Sequence, residues 1–298
     1  MEDEPRLPPE LERAIFELVA ISWPVFIPNL LLVASRVRYW VHPLLHRTLT
    51  INAPTIPGLP PSSVATFTHI QQTHPELLRG VKNLMILHLD TIETDTILSA
   101  CPNVQNLYIL LPGRPAVQRR TALDAMPLRH LYCELDDIGI VSNKDIFSST
   151  LFGGLTHLEL YDIEDEEEYW TGLAALPRLT HLAFDTFATY LAARYKEVLE
   201  RKKDLKALIV LRRPSARHAQ ITVEDKRFVM MPLENYTRDW QCGVLYGDDF
   251  WARADKFIAG RIAGLPPPDA QYPFYLSEDG SADPLPSPTF DRSNLRFI

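Results

Sequence analysis

The stretch that decides the fold is LTHLEL, at residues 155–160, which returns almost unchanged as LTHLAF at residues 179–184. In both copies the apolar fourth and sixth positions alternate with their neighbours, which is the pattern of a β-strand with one buried face. The same Leu-x-x-Leu-x-apolar pattern begins at four further places: Leu84, Val104, Leu128 and Leu205. Successive copies start 20–27 residues apart, a spacing typical of repeat architectures.

The segments between the copies have the composition of helices. Strands that alternate with helices at this interval must run parallel, with the helices on one side of the sheet. One such unit cannot offset an ordering entropy of about 1–2 kcal/mol per residue, so the units have to stack on one another. The predicted fold class is therefore an α/β solenoid with parallel strands and convex helices, which we assign to residues 51–232.

A small helical head is predicted for residues 1–50, before the repeats. It opens with LPPELERAIFELVA at residues 7–20. Proline is favoured at the start of a helix, and Leu11, Ile15 and Leu18 then share one face. Two further short apolar stretches follow, so the head is predicted to be a three-helix bundle.

The composition excludes several classes of protein. A formal net charge of −8 argues against a general nucleic-acid binder. The apolar stretch at residues 14–34 has the length of a membrane span, but Pro24 and Pro28 lie inside it, so we predict short buried helices and no membrane contact. The acidic N-terminus is unlike a signal peptide, and the three cysteines are far apart. We expect a cytoplasmic or nuclear protein.

The repeats resemble leucine-rich repeats in their longer, irregular form, and the opening of the head resembles an F-box. Together with the strings KRFVMMP (226–232) and DDFWARADKF (248–257), this layout resembles the F-box-like leucine-rich-repeat proteins of mushroom-forming fungi, the basidiomycetes. The resemblance implies that the head docks on the Skp-type adaptor of a cullin ubiquitin ligase, while the repeats hold an unknown protein substrate. The adaptor contacts carry over to the following residues of this chain: Leu7, Pro8, Leu11, Ile15 and Phe16. The alternative is an adaptor-independent scaffold whose head only caps the solenoid.

Strand alternation predicts which side chains line an open concave face. We place them in three columns across the sheet, which begin at Ile86, His88 and Asp90 in the first copy. Their polar and aromatic members are the predicted substrate contacts: His88, Asp90, Tyr108, His130, Tyr132, Glu134, His157, Glu159, Tyr161, His181 and Asp185. A surface that mixes tyrosines with carboxylates suits a protein partner with basic groups.

Three histidines of one column should stack, because neighbouring strands lie about 4.8 Å apart. Three stacked imidazoles at 130, 157 and 181 leave three interpretations open: a metal site, a pH-sensitive contact or ordinary packing. Ordinary packing is the interpretation we favour, so we predict no metal and no cofactor.

We predict no catalytic activity. The sequence has no phosphate-cradling glycine loop, no HExxH and no GxSxG. The acidic run at 162–168 is interpreted as the favourable start of a helix, with a docking site for a basic segment as the alternative. The basic segment at 194–217 is interpreted as a solvated convex face, with nuclear import or nucleic-acid contact as the alternative. A last strand at 228–231 and an amphipathic helix at 247–263 are predicted to end the fold, with residues 233–264 as a C-terminal cap. The tail at 265–298 is rich in Pro, Asp and Ser and is predicted to be disordered.

Overall fold

A computed structural model describes residues 7–54, 56, 62–112, 117–140, 146–161, 163–185, 189–212, 221, 223–232 and 235–265. Within these residues eight strands form one sheet in sequence order, and every neighbouring pair is parallel. The strands are β1 (Thr48–Ile51), β2 (Asn83–Leu87), β3 (Asn106–Leu110), β4 (His130–Cys133), β5 (His157–Leu160), β6 (His181–Phe184), β7 (Ala207–Arg212) and β8 (Phe228–Pro232). The open, parallel α/β arrangement that the repeat period predicts is confirmed, and it extends one strand further towards the N-terminus.

Short helices join the strands and cover one face of the sheet. They are α4 (Val64–Thr73), α5 (Pro75–Leu78), α6 (Thr91–Ala100), α7 (Val117–Asp124), α8 (Thr150–Gly153), α9 (Glu167–Ala175) and α10 (Ala192–Arg201). The repeat leucines of the strands meet these helices in one continuous core, which includes Leu107, Leu131, Leu158 and Leu182. Side-chain caps mark some helix starts: Ser63 accepts a hydrogen bond from the amide of Thr66, at 3.1 Å.

The register of the first repeat differs from the prediction. Leu84 pairs with Leu107, so the first copy begins at Val81 and reads VKNLMI, matching VQNLYI from Val104. The predicted frame was three residues too late, because Leu87 and Leu89 make the later frame equally apolar. Backbone bonds such as Gln105 N–H to the Lys82 carbonyl, at 2.8 Å, hold the observed frame.

This shift corrects three predicted concave positions. Ile86 faces the helix layer, and Asn83 takes its place in the first column. His88 and Asp90 lie beyond β2, so their places in the second and third columns go to Met85 and Leu87. Both displaced residues are exposed, and they have local roles. His88 ends the strand with φ 52°, while the Asp90 carboxylate caps α6 by accepting from the amide of Glu93 at 2.8 Å.

Two C-terminal helices cover the other face of the sheet. They are α11 (Tyr236–Tyr246) and α12 (Phe250–Ile262), and the sequence pattern predicted only the second. The sequence predicted an end cap behind β8 at residues 233–264, and neither helix takes that position. Both lie across the strands and enclose a second core that contains Trp240, Phe250 and Trp251.

The head is a bundle of short helices with a small core of its own. Its helices are α1 (Pro9–Ser22), α2 (Ile27–Leu30) and α3 (Ser35–Val41), followed by a 3₁₀ segment at His42–Arg47 that leads into β1. The fully buried members of its core are Ala20, Ile27, Val37 and Val41. The apolar stretch at 14–34 is thus divided between α1, a 3₁₀ turn and α2. Within the described residues no helix has both the length and the apolar character needed to cross a bilayer.

Candidate functional site: the exposed head and the covered strand face

The first helix of the head turns an apolar stripe towards solvent. The exposed fractions are 44% for Leu7, 54% for Leu11, 49% for Ile15 and 64% for Leu18. These residues recur at helical spacing, so they form one continuous strip along α1 and the residues that precede it. Four large apolar side chains in a row on a surface helix are the usual mark of a contact with another protein.

Four of the five predicted adaptor contacts are exposed: Leu7, Pro8, Leu11 and Ile15. Phe16 differs, because it is half-buried and packs against the core of the head. It therefore helps to hold α1 in place and does not belong to the exposed strip.

The exposed strip is fixed to the rest of the head by an ion pair. Two nitrogens of the Arg36 guanidinium on α3 donate to the Glu12 carboxylate on α1, at 2.7 and 2.9 Å. Further exposed apolar residues lie on the same small bundle: Trp23, Leu32, Val33 and Tyr39. The head thus presents several large apolar side chains to solvent beside its small core.

The strand face that was predicted to be open is covered. We define the covered strand face as the column Met85, Tyr108, Tyr132, Glu159, Ala183, Ile209 and Val229. All seven are buried, with exposed fractions of 0–4%. The expectation that Tyr108, Tyr132 and Glu159 face solvent is therefore wrong, because α11 and α12 of the same chain occupy the surface on which a substrate was expected.

The two covering helices cross the sheet in opposite directions. At the start of α11 the Tyr236 hydroxyl donates to Asp185, which follows β6, and Trp240 Nε1 donates to Asn106 Oδ1 of β3 at 2.9 Å. Gln241 Nε2 then reaches the carbonyl of Pro54, beyond β1, at 2.8 Å. Helix α11 therefore begins over the inner strands of the sheet and extends towards its first strand.

The second covering helix returns towards β8. Trp251 Nε1 donates to the Tyr132 hydroxyl of β4 at 2.8 Å, and Arg261 Nη1 donates to the carbonyl of Phe228 in β8 at 2.8 Å. The Asp249 carboxylate begins α12 by accepting from the amide of Ala252 at 2.9 Å. Together the two helices span the full width of the sheet.

The histidine column forms as predicted. The rings of His130 and His157 stack with centroids 4.0 Å apart, and those of His157 and His181 with centroids 4.1 Å apart. The Trp251 ring closes over His157 at 5.2 Å, edge to face. The polar contact at the end of the row joins His181 Nε2 to Asp255 Oδ1 of α12, at 3.0 Å.

Burial favours the neutral form of these imidazoles, and Asp255 opposes this effect at His181. Burial, followed by the charge of the neighbouring histidines, lowers the pKa of His157 to about 2. Burial likewise lowers the pKa of His130 to about 4. No three described His, Cys, Asp or Glu residues are grouped closely enough to hold a metal ion. The packed row beneath α12 fits the packing interpretation best.

Glu159 is the least satisfied group of the covered strand face. Its exposed fraction is 0%, and neither carboxylate oxygen has a hydrogen-bond partner among the described residues. Burial, together with the carboxylates of Asp185, Asp239 and Asp249, raises its pKa well above the ordinary value. Of these three carboxylates, Asp239 is paired with Arg253 of α12.

The other members of the third column lie just past the strand ends. Glu134 and Tyr161 are partly buried, and Asp185 accepts from Tyr236 as described. Elsewhere, Glu167 and Glu168 occupy the first turn of α9, which confirms the interpretation of the acidic run there. In the basic segment Lys202 is buried and donates to the Leu176 carbonyl at 2.7 Å; residues 213–217 lie outside the described part of the chain.

A cavity of about 250 Å³ lies where the head meets the sheet and α11. Its polar lining comes from strand starts and from the α12 cap: Arg47, Thr48, Asn83, Asn106, His130 and Asp249. Four of these groups are already engaged. Asn83 Nδ2 donates to Thr48 Oγ1 at 3.0 Å, Asn106 accepts from Trp240, and Asp249 accepts from the Ala252 amide. The cavity therefore marks an imperfect fit between the head and the repeat body.

Comparison with protein-family models, with curated proteins and with solved structures finds no match for this chain.

Proposed function

We propose that this protein is the substrate receptor of a Skp–cullin–F-box ubiquitin ligase. In this proposal the head docks on the Skp-type adaptor and the repeat body holds a protein substrate. The observation that carries the proposal is the exposed apolar strip of the head, which begins at Leu7 and ends at Leu18. The sequence resemblance of this segment to an F-box supplies the identity of the partner.

The energetics of the strip favour a partner over bare solvent. Each large apolar side chain that becomes buried contributes roughly 1.5–3 kcal/mol, so four of them form a contact of useful strength. The Arg36–Glu12 pair and the small core of the head hold α1 in one orientation, which lowers the entropy lost on binding.

The alternative is a scaffold whose head only caps the end of the repeats. It is favoured by the direct connection of the 3₁₀ segment His42–Arg47 to β1, the edge strand of the sheet. It is also favoured by the contact of the 3₁₀ turn Pro24–Phe26 with α11. A cap, however, has no need of an apolar strip on its outer side.

Co-expression with a Skp-type adaptor tests the adaptor contact. The wild-type chain is expected to copurify with the adaptor, and Leu11→Asp is expected to abolish the complex, because it places a charge in the centre of the strip. Since Leu11 is 54% exposed, this change leaves no cavity in the fold. The matched control is Ile92→Asp, at a position that is 79% exposed on α6, far along the chain from the head.

Retention of the adaptor by Ile92→Asp and its loss from Leu11→Asp would support docking through the strip. If the wild-type chain forms no complex, the receptor function is rejected and the capping alternative stands. If Leu11→Asp binds as well as wild type, docking through the strip is rejected.

A further inference from the structure

The covered strand face has two unlike sets of contacts with its cover. One set is apolar: Trp240, Phe250 and Trp251 pack on the tyrosines of β3 and β4. The other set is polar and poorly matched. Among the described residues, the buried atoms without a hydrogen-bond partner at this interface include both oxygens of Glu159, Nδ1 of His130 and Oε1 of Gln241.

A mismatch of this kind is unusual for a permanent core. Buried polar groups are almost always hydrogen-bonded, and an unpaired buried carboxylate strongly opposes burial. The helix-facing core on the other side of the sheet is much larger, and its strand positions from β2 to β6 carry only apolar side chains, such as Leu158 and Leu182. Among the described residues, most buried atoms without a hydrogen-bond partner lie where α11 and α12 meet the sheet, and the hydroxyl of Tyr195 is one on the helix side.

The charge around Glu159 indicates what is missing. The charged groups that raise its pKa are all carboxylates: Asp185 beyond β6, Asp239 on α11 and Asp249 at the start of α12. The cation Arg253 of α12 is committed to Asp239 and also approaches Asp248 at 3.6 Å. A buried carboxylate surrounded by further carboxylates is complementary to an incoming cation.

We propose that the covered strand face is a docking surface for a peptide segment of the substrate that carries a lysine or arginine, and that α11–α12 is a displaceable cover which occupies it in the free protein. The cation of the peptide pairs with Glu159, and its apolar residues replace Trp251 and Phe250 on the tyrosines. This inference rests on the proposed receptor function in one respect: that function is what makes the bound peptide part of a substrate. Opening of the cover and recognition of the cation are independent of the adaptor.

Cysteine labelling under native conditions tests whether the cover opens. Ala183 lies on the covered strand face with an exposed fraction of 0%, and cysteine is nearly its equal in size. In an Ala183→Cys chain that also carries Cys242→Ser, the introduced thiol is compared with Cys101 and Cys133, which are buried in the opposite core. We expect a maleimide to label the introduced thiol at least ~10-fold faster than the two native thiols, because local opening precedes global unfolding.

A control variant and one contrary result decide how the labelling is interpreted. Glu159→Gln is expected to slow the labelling of the introduced thiol and to leave that of Cys101 and Cys133 unchanged. Opening of the cover lets the Glu159 carboxyl ionise in water, which favours the open state, whereas glutamine has no charge to gain. Equal labelling rates at all three thiols would show that the cover opens only when the whole protein unfolds, and would reject the proposal. Backbone hydrogen exchange of α11 and α12 in the unaltered chain gives the same readout if the cysteine variant does not fold.

Selection from a random peptide library displayed on phage, with the full wild-type chain as bait, tests the partner. The selected peptides are expected to contain lysine or arginine, to bind Glu159→Gln ~10-fold more weakly or worse, and to bind Glu159→Asp about as well as wild type. Their binding should also accelerate hydrogen exchange in α11 and α12. Selection of no binder, or of binders that are indifferent to Glu159→Gln, would overturn the docking surface.

The Leu11→Asp chain separates this inference from the proposed function. If the adaptor is lost and the peptides still bind, both proposals are supported. If peptides bind as described and the wild-type chain forms no adaptor complex, the docking surface stands and only the ubiquitin-ligase role fails.

Discussion

His157 shows how one side chain depends on its neighbours in this fold. In the sequence it is a polar residue beside a repeat leucine; in the structure it lies between two other imidazoles and under the Trp251 ring. A protonated ring there would be desolvated and would repel any proton on His130 or His181 as well as the charge of Lys206, which is why its pKa falls to about 2. The same contact that buries the ring therefore makes the folded state sensitive to acid.

The sign of this sensitivity follows from linkage. The ordinary pKa of histidine, 6.5, applies to the unfolded chain, and the folded pKa of His157 is lower. Between these values the unfolded state binds a proton that the folded state does not. His157 thus contributes stability that is complete above pH 6.5 and is lost as the pH falls towards the folded pKa, at about 1.4 kcal/mol per pH unit.

A His157→Gln variant isolates this contribution. Glu159 and Asp249 have raised pKa values and act in the opposite direction, but they are present in both chains. Between pH 7 and pH 5.5 we expect the wild type to lose about 1–2 kcal/mol more unfolding free energy than the variant, as measured by urea titration. An equal loss in both chains would contradict the neutral, buried state of His157.

Asp90 has a structural role within a single element, the helix α6. It was predicted to touch a substrate, and its carboxylate instead accepts from the Glu93 amide at the start of α6. An N-cap of this type satisfies an amide that the helix itself leaves unpaired. The local role of Asp90 in α6 therefore accounts for its position without any partner.

The capping role predicts a specific pair of substitutions. Asp90→Ala should lower the unfolding free energy by about 1 kcal/mol, whereas Asp90→Asn, which keeps an acceptor in the same place, should lower it by no more than a few tenths. Thermal or urea unfolding of the three chains provides the measurement. A loss of the same size in both variants would assign the effect to the charge of Asp90 and not to the cap.

In the molecule as a whole, the described residues form one long core, one covered strand face with its own apolar cluster, and one small separate core in the head. Residues of the head such as Val37 belong to the separate core, while Leu158 lies in the middle of the long one. In a stacked repeat each strand is stabilised by its neighbours on both sides. A destabilising substitution in the centre of the stack therefore also destabilises the neighbouring strands, whereas one in a separate bundle affects only that bundle.

This division predicts different consequences for two buried positions. Leu158→Ala should cost about 2–5 kcal/mol and increase hydrogen exchange throughout the sheet. Val37→Ala, with a cost of about 2 kcal/mol, should increase exchange only within residues 9–47. If Val37→Ala also loosens the strands, the head is an inseparable cap of the repeats, and the scaffold alternative gains support.

The repeat body can be predicted from the sequence pattern alone. Six apolar hexads at similar spacing permit little other than parallel strands joined by helices, because a single unit cannot bury its leucines and a stack can. The histidine row and the first turn of α9 follow from the same register. The frame of the first copy was misjudged because Leu84 and Leu87 are equally apolar, and only the hydrogen bonds to β3 choose between the two frames.

The helices that cover the strands are known only from the folded structure. Met85, Ile209 and Leu211 stand on the face that was read as open, and apolar residues on both faces of a strand are the mark of a sheet buried on both sides. The stretches NLMIL and ALIVLR have this pattern, but the pattern does not predict which segment covers the second face. The occupant is set by contacts between distant segments, such as Trp251 with Tyr132 and Trp240 with Asn106, which no local pattern encodes. Glu159 is likewise buried because α11 and α12 cover its face of the sheet. Strand alternation assigns its side chain to that face but does not predict what packs on it.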